Sequence, residues 1–377
     1  MNNRKISGYL MMKQFLFVII LFAGSLAQTV RIPNIRFSPE KYICFFSNDS
    51  LTIDGKLDEV QWEKAEWSKE FVDIRGRKQP KPRFRTRVKM LWDNKYLYIA
   101  AQLQEPDVWG VLKEHDATLY KDNNFEVFID PDGDTQKYCE LELNALNTTW
   151  DLLLIKPYRD MRKPAISNWE IKGLKHKVAI MGSLNNPSDK DSCWTVELAL
   201  PWKVFEELTT VAVPPQDGDQ WRVNFSRVEW HLKVKDGAYA KSINPVTHKP
   251  MPDFWVWSPQ GLVNMHYPEM WGYVQFSTEI VGEREVPFIE TEEEKAKWFL
   301  RQIYYKERIY YQKHSTYTAD LKKLGLKNRP LANYMTPPVI ECTSDMFEAA
   351  LIKKDKKTKL CIRNDGFVYR KKNVMRE

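Results

Sequence analysis

The chain has 377 residues, 43% hydrophobic and 28% charged, a globular composition with room for one large β domain and an appendage. Its net charge of +7 sits entirely in residues 351–377, which hold ten Lys or Arg against three Asp or Glu, so the rest of the chain sums to zero. A nucleic-acid reader needs a basic face on its folded part and is not expected here; nor does any stretch beyond the N-terminus have the length and apolarity of a membrane span.

Residues 1–27 place Arg4, Lys5 and Lys13 ahead of an apolar run from Phe15 to Ala23, followed by Ser25 and Ala27 in cleavage spacing. This pattern predicts a secretory signal peptide and therefore an exported protein, whether periplasmic, cell-surface or secreted. After a lead-in over 28–50, residues 51–280 alternate at period two in short runs broken by turn residues. "TRVKMLWD" puts Val88, Met90 and Trp92 on one face, "DNKY" turns, and "YLYIAAQL" returns. "FEVFID", "YCELELNA", "CWTVELAL", "WRVNFSR" and "WGYVQFS" continue the series. Many alternating strands without amphipathic helices between them predict a mainly β fold, an antiparallel β-sandwich. A single short helix is expected to follow Pro201.

From residue 281 the pattern changes. Thr291, three residues ahead of Glu294, opens a capping box, and aromatic and aliphatic clusters recur at near-helical spacing to Tyr311. One long helix with a broad apolar face is expected, followed by a helical turn ending at Gly325, a Pro-rich connector and a hairpin at "RNDGFVYRK". Residues 281–377 thus read as a helix-containing C-terminal extension. Of five cysteines, Cys44, Cys139 and Cys193 fall on strand-like segments, while Cys342 and Cys361 share the extension and are candidates for a bridge.

Seven patches carry a resemblance: "IDGKLDEVQWEKA" (53–65), "VKMLWDNKYLYIAAQLQEPD" (88–107), "DNNFEVFIDPDGD" (122–134), "YCELELNALNTTWD" (138–151), "WTVELALPW" (194–202), "WRVNFSR" (221–227) and "MHYPEMWGYVQFS" (265–277). In this order and spacing they resemble the family 9 carbohydrate-binding modules borne by secreted xylanases. The resemblance implies a jelly-roll-like sandwich that binds plant-type polysaccharide (xylan, cellulose or their oligosaccharides) without cleaving it, beside separate glycoside hydrolases and with no required cofactor. Such modules clamp a sugar between two aromatic rings. The first ring falls at Tyr120 and the hydroxyl-binding acid at Glu126. The second ring position holds Met265 and His266, so the implied clamp is Tyr opposite His. A basic residue expected on the "ELELN" strand is Glu142 here. Arg227 compensates only if a bulge turns it to the face of Asn224, because strict alternation opposes them. Asn144 and Asn224 read either as further hydroxyl partners or as strand-end hydrogen bonders.

The residues themselves leave alternatives open. With Phe125, Val127 and Ile129 facing the core, Glu126 shares the other face with Glu140 and Glu142 of the returning strand, and opposed like charges need something to offset them. Glu126 and Glu142 are also a candidate glycosidase pair. Asp130, Asp132 and Asp134 are a candidate calcium set, although the distal Glu of an EF-hand is missing and a hairpin turn favours the same residues. A scaffold docking through the extension is a third function. Trp255 and Trp257 fit core or binding rim, and His115, His176 and His231 show no metal-ligand spacing.

Overall fold

In the computed structural model the described residues are 30–373; residues 1–27, where a signal peptide is expected, lie outside them. Alternation does build a sandwich. One layer runs Ala165–Ile166, Thr149–Leu154, Tyr138–Asn144, Asn124–Asp130 and Gln220–Trp230, with Pro252–Val256 paired to the far half of the last strand and Val72–Asp73 beyond it. The other runs Gly272–Ile280, Lys41–Phe46, Thr86–Trp92, Tyr96–Gln104, Cys193–Pro201 and Lys175–Met181. The near half of the 220–230 strand also pairs with 272–280, which joins the layers at one edge. Neighbours are antiparallel except where 41–46 pairs in parallel with both 272–280 and 86–92.

Between the layers lies one apolar core. Phe125, Val127 and Ile129, Cys139, Leu141 and Leu143, and Val223 and Phe225 face Val88 and Met90, Ile99, Val196 and Leu198. At one end Trp92, Trp202, Trp221, Phe205 and Phe276 meet edge to face, with ring centroids from 5.1 to 6.0 Å apart. Trp255 and Trp257 are buried and belong to this core, not to a rim. The Trp202–Phe205 helix follows Pro201 as its N-cap.

The "IDGKLDEVQW" segment is fastened by a buried carboxylate. Glu197 accepts from the Trp62 indole (2.8 Å) and from the backbone N–H groups of Asp54 (2.9 Å) and Gly55 (2.8 Å). Gly55 sits at φ +88°, and a Cβ there would come within 2.7 Å of the Ala179 nitrogen, so the turn requires glycine for both conformation and space.

The extension is more than a helix. Thr291 caps Glu292–His314 by accepting from the Glu294 N–H. The helix is buried between the sandwich and a four-stranded antiparallel meander, Val339–Cys342, Phe347–Ile352, Thr358–Arg363 and Val368–Lys372. Phe299, Leu300, Ile303 and Tyr304 pack with Phe347, Ala349, Leu351, Leu360 and Ile362, and with Tyr267 and Met270 of the sandwich. The predicted hairpin forms at 358–372, but the two strands before it carry no clear alternation in "VIEC" and "FEAALI". Cys342 and Cys361 are both free, because the 347–352 strand lies between theirs. Two strand spacings of about 4.8 Å exceed the reach of a disulfide.

A buried ionic cluster locks the extension down. Glu269 accepts from Arg159 (2.9 Å) and from the Tyr305 hydroxyl, with Arg301 at 4.0 Å. Arg301 in turn donates to Thr135 (3.0 Å) and the Gly366 carbonyl (2.8 Å), tying the 130–135 turn to the meander. Nearby, Glu294 meets Arg222 (3.1 Å), Lys297 (3.0 Å) and the Tyr273 hydroxyl (2.9 Å). Among the described residues no helix is long and apolar enough to cross a membrane.

Removing Glu269 takes a buried carboxylate from Arg159, which keeps Asp160 (3.2 Å), and from Arg301, so Glu269→Ala should cost about 3–5 kcal/mol in urea unfolding; a loss under about 1 kcal/mol would show that the cluster is solvated. Burial pushes the Glu294 carboxyl up, but Lys297 and Arg222 outweigh it and hold it down at about 2. A depressed folded value stabilises above the ordinary carboxylate range, and that contribution is lost as pH falls through about 2. Glu294→Gln should therefore melt below the parent protein at pH 6, with the gap closing towards pH 2.

Candidate functional site

The pleat that buries Phe125, Val127 and Ile129 sends the intervening side chains to the outer face of the same layer, and register arranges them in two rows. Ser226, Glu126, Glu142 and Trp150 lie abreast across four strands; beside them lie Asn224, Phe128, Glu140 and Leu152. All of these except Asn224 line a cleft of about 350 Å³. Trp150 and Leu152 rise on one side, and Val228, Phe254 and Ile74 on the other. Tyr120 stands at the Glu142 end, its ring 6.3 Å from that of Trp150. Tyr158 and the 263–266 loop close the opposite end.

Three carboxyls dominate the floor. Glu126, Glu140 and Glu142 are 5%, 6% and 2% exposed. The Asn124 side-chain amide donates to both Glu126 and Glu142, at 2.9 Å each. Glu140 accepts no hydrogen bond from an N–H or hydroxyl group of the described residues. Burial raises all three pKa values; the charge of Glu126 adds to the rise at Glu140 and Glu142, and Glu140 adds further at Glu142. Among the described residues no Lys or Arg lines the cleft. Its one basic residue, His266, shares a hydrogen bond with the Tyr138 hydroxyl at 3.0 Å. Burial, aided by Arg159, pulls its pKa down to about 3, so it is neutral at physiological pH. The His266 ring meets Tyr158 edge to face at 4.5 Å and supports that tyrosine.

Of the seven residues singled out in the sequence for carbohydrate, Tyr120, Glu126, Glu142 and His266 meet in this cleft. The other three do not. Asn144 is fully buried, donating to the Leu112 carbonyl and Asp122 and accepting from Leu146 and Thr148, so it fixes a loop. Asn224 is buried in paired hydrogen bonds with the Ser258 backbone. No bulge interrupts the 220–230 pairing, so Arg227 stays on the inner face, where it binds Glu105 (2.7 Å) and Glu229 (2.8 Å). Glu140, Trp150 and Tyr158 are among the lining residues that were not singled out in the sequence. Alternation already marked Glu140. Trp150 needed the register with Glu142, and loop-borne Tyr158 carried no signal.

Asp130, Asp132 and Asp134 also converge, with ligand atoms within 4.8 Å of one another. Their oxygens serve the turn: Asp130 accepts from Gly133 and Thr135, Asp132 from Thr209 and Asp134, and Asp134 from Gln136. The Asp132 carbonyl faces the Lys297 ammonium at 3.3 Å, a charge that opposes a cation there. His115, which has no ligand spacing in sequence, is brought within 3.1 Å of Glu170 and 3.5 Å of Asp116. Burial pulls its pKa down, but these carboxylates outweigh it and raise it overall.

Residues 53–220 match the family described as "Carbohydrate family 9 binding domain-like". Endo-1,4-beta-xylanase C of Paenibacillus barcinonensis is 34% identical over 79 residues, 21% of this chain and 6% of that protein. Exoglucanase XynX of Acetivibrio thermocellus is 27% identical over 99 residues, 26% of this chain and 8% of that protein. The chain therefore spans under a tenth of the length of these relatives. A family 9 carbohydrate binding module from Caldicellulosiruptor kristjanssonii, solved with cellotriose, aligns over 67% of this chain and 100% of its own at 14% identity and a TM-score of 0.40. The segment that builds most of the sandwich and most of its acidic cleft, residues 53–220, belongs to the carbohydrate family 9 binding domain-like family.

Proposed function

We propose that this protein binds a saccharide in the cleft over Glu126, Glu140 and Glu142, without cleaving it. The observation that carries this reading is a floor of buried carboxyls walled by Tyr120, Trp150 and Tyr158 within the family-matched sandwich. Carboxyl oxygens accept sugar hydroxyls, and aromatic rings cover the apolar faces of pyranoses. Glu126 and Glu142 do not suit a hydrolase. A glycosidase holds its two carboxyls on either side of the scissile bond. Here they lie side by side on adjacent strands, bound to the same amide nitrogen. The signal-peptide pattern supports export, and the partial likeness to two polysaccharide-degrading enzymes supports a place beside separate glycoside hydrolases, with xylan or cellulose fragments as the reference ligands. Nothing in this role calls for calcium at the 130–134 turn.

Retention of at least one oligosaccharide class on a glycan array probed with the mature protein would support this reading, and retention of none would overturn it. Tyr120 is 45% exposed, so Tyr120→Ala should remove stacking without touching the core. The expected result is at least a tenfold loss of affinity by calorimetry with an unchanged melting temperature. An equal affinity would remove Tyr120 from the site.

The raised carboxyls also make a stability prediction. A group whose folded pKa is raised binds its proton more tightly in the native state, so stability falls as pH rises from about 4.3 through the folded value. Glu142→Gln removes that loss while keeping an acceptor for Asn124. It should melt several degrees above the parent at pH 8, with the gap closing near pH 4, while binding weakens. A variant less stable at pH 8 would make Glu142 a structural group.

A further inference from the structure

The charge of the cleft narrows what it holds. We propose that its saccharide carries a protonated amine: an amino-sugar residue with a free ammonium group seated over Glu126, Glu140 and Glu142. This rests on the reading of the cleft as a saccharide site and names the class of sugar.

Hydrogen-bond inventory is the first ground. An ionised carboxylate offers about four acceptor positions. From N–H groups, Glu126 and Glu142 each receive one bond from Asn124, and Glu140, 6% exposed, receives none and has only the neighbouring Glu142 carboxyl as a hydrogen-bond partner. Their open acceptors face the cleft. A neutral sugar supplies hydroxyl donors but no charge, whereas an ammonium supplies three N–H donors and the charge together.

Charge balance is the second. Like charges directly opposed across a strand pair destabilise it, and Glu126 faces Glu142 in register. Among the described residues none supplies a counter-charge. His266 is neutral, Arg227 is consumed by Glu105 and Glu229 on the inner face, and Arg159 is bound to Glu269. In the empty cleft protons held by the carboxyls offset the repulsion, and a cation bound there takes their place. The rings of Tyr120, Trp150 and Tyr158 suit it as well, since an aromatic face attracts a cation while covering the sugar ring.

The ionisable groups facing the bound amine are Glu126 from one strand, Glu140 and Glu142 from the next, Tyr120 and Tyr158 from the two ends, and His266 from the 263–266 loop. The three carboxyls, raised by burial, change charge with the amine. A bound ammonium favours their ionised forms, so binding releases protons. Affinity rises with pH as the carboxyls ionise and falls again as the amine loses its proton.

The test is calorimetry of the full mature protein with three β-1,4-linked trisaccharides that differ at the 2-position: the glucosamine trimer, its N-acetylated form, and cellotriose. The expected result is at least tenfold tighter binding of the free amine, a bell-shaped pH dependence, weakening with salt, and proton release seen as a heat that changes with buffer. Glu140→Gln, checked for an unchanged far-ultraviolet spectrum, should bring the amine's affinity towards that of the acetylated trimer. Equal or tighter binding of cellotriose or the acetylated trimer by the parent protein overturns the amine and leaves the saccharide reading standing. Failure of all three to bind, alongside an empty glycan array, overturns both.

Discussion

A pleated strand sends successive side chains to opposite faces, and the 124–130 and 138–144 strands use that constraint on both sides at once. Their odd-numbered residues are apolar and close the core against the second layer. Their even-numbered residues put Glu126, Phe128, Glu140 and Glu142 on the outer face. A one-residue slip of both strands would send Glu126, Glu140 and Glu142 into the core and expose six hydrophobic side chains in their place. The core therefore holds the register, and the register holds the site.

That arrangement has a thermodynamic cost within the site itself. Three buried carboxyls on one floor lose hydration and repel one another, and a single Asn124 amide serves two of them. Nothing in the fold demands acids at these positions, since Phe128 and Leu152 show that apolar side chains fit the same face. Local destabilisation that the surrounding structure tolerates is the physical signature of a surface shaped for a ligand. The turn at Asp130–Asp134 makes the contrast: its carboxylates are also clustered, but they bond to the turn's own amides and to Thr209.

The extension meets the sandwich on different terms. Its helix joins the meander through aliphatic and aromatic packing, but it joins the sandwich largely through buried ions, Glu269 with Arg159 and Arg301, and Glu294 with Arg222. Arg301 also ties the 130–135 turn, at the far end of a floor strand, to the meander. The extension thereby braces the strand pair that carries the carboxyls, without lining the cleft.

Local periodicity by itself determined much of this protein. Period two was enough for the sandwich, for Trp92 and the core faces, and for Glu126, Glu140 and Glu142 sharing one surface; the capping box was enough for the start of the helix at Thr291. These are nearest-neighbour properties of the chain. Tertiary structure alone decided the rest. Arg227, Asn144 and Asn224 sit on strands of the right kind, but their partners, Glu105, Asp122 and Ser258, are distant in sequence and claim them for structure. Trp150 and Tyr158 become walls only when two further segments fold over the floor. The meander around the helix was hidden because short runs such as "FEAALI" take their strand geometry from pairing with neighbours, and pairing is a property of the folded chain.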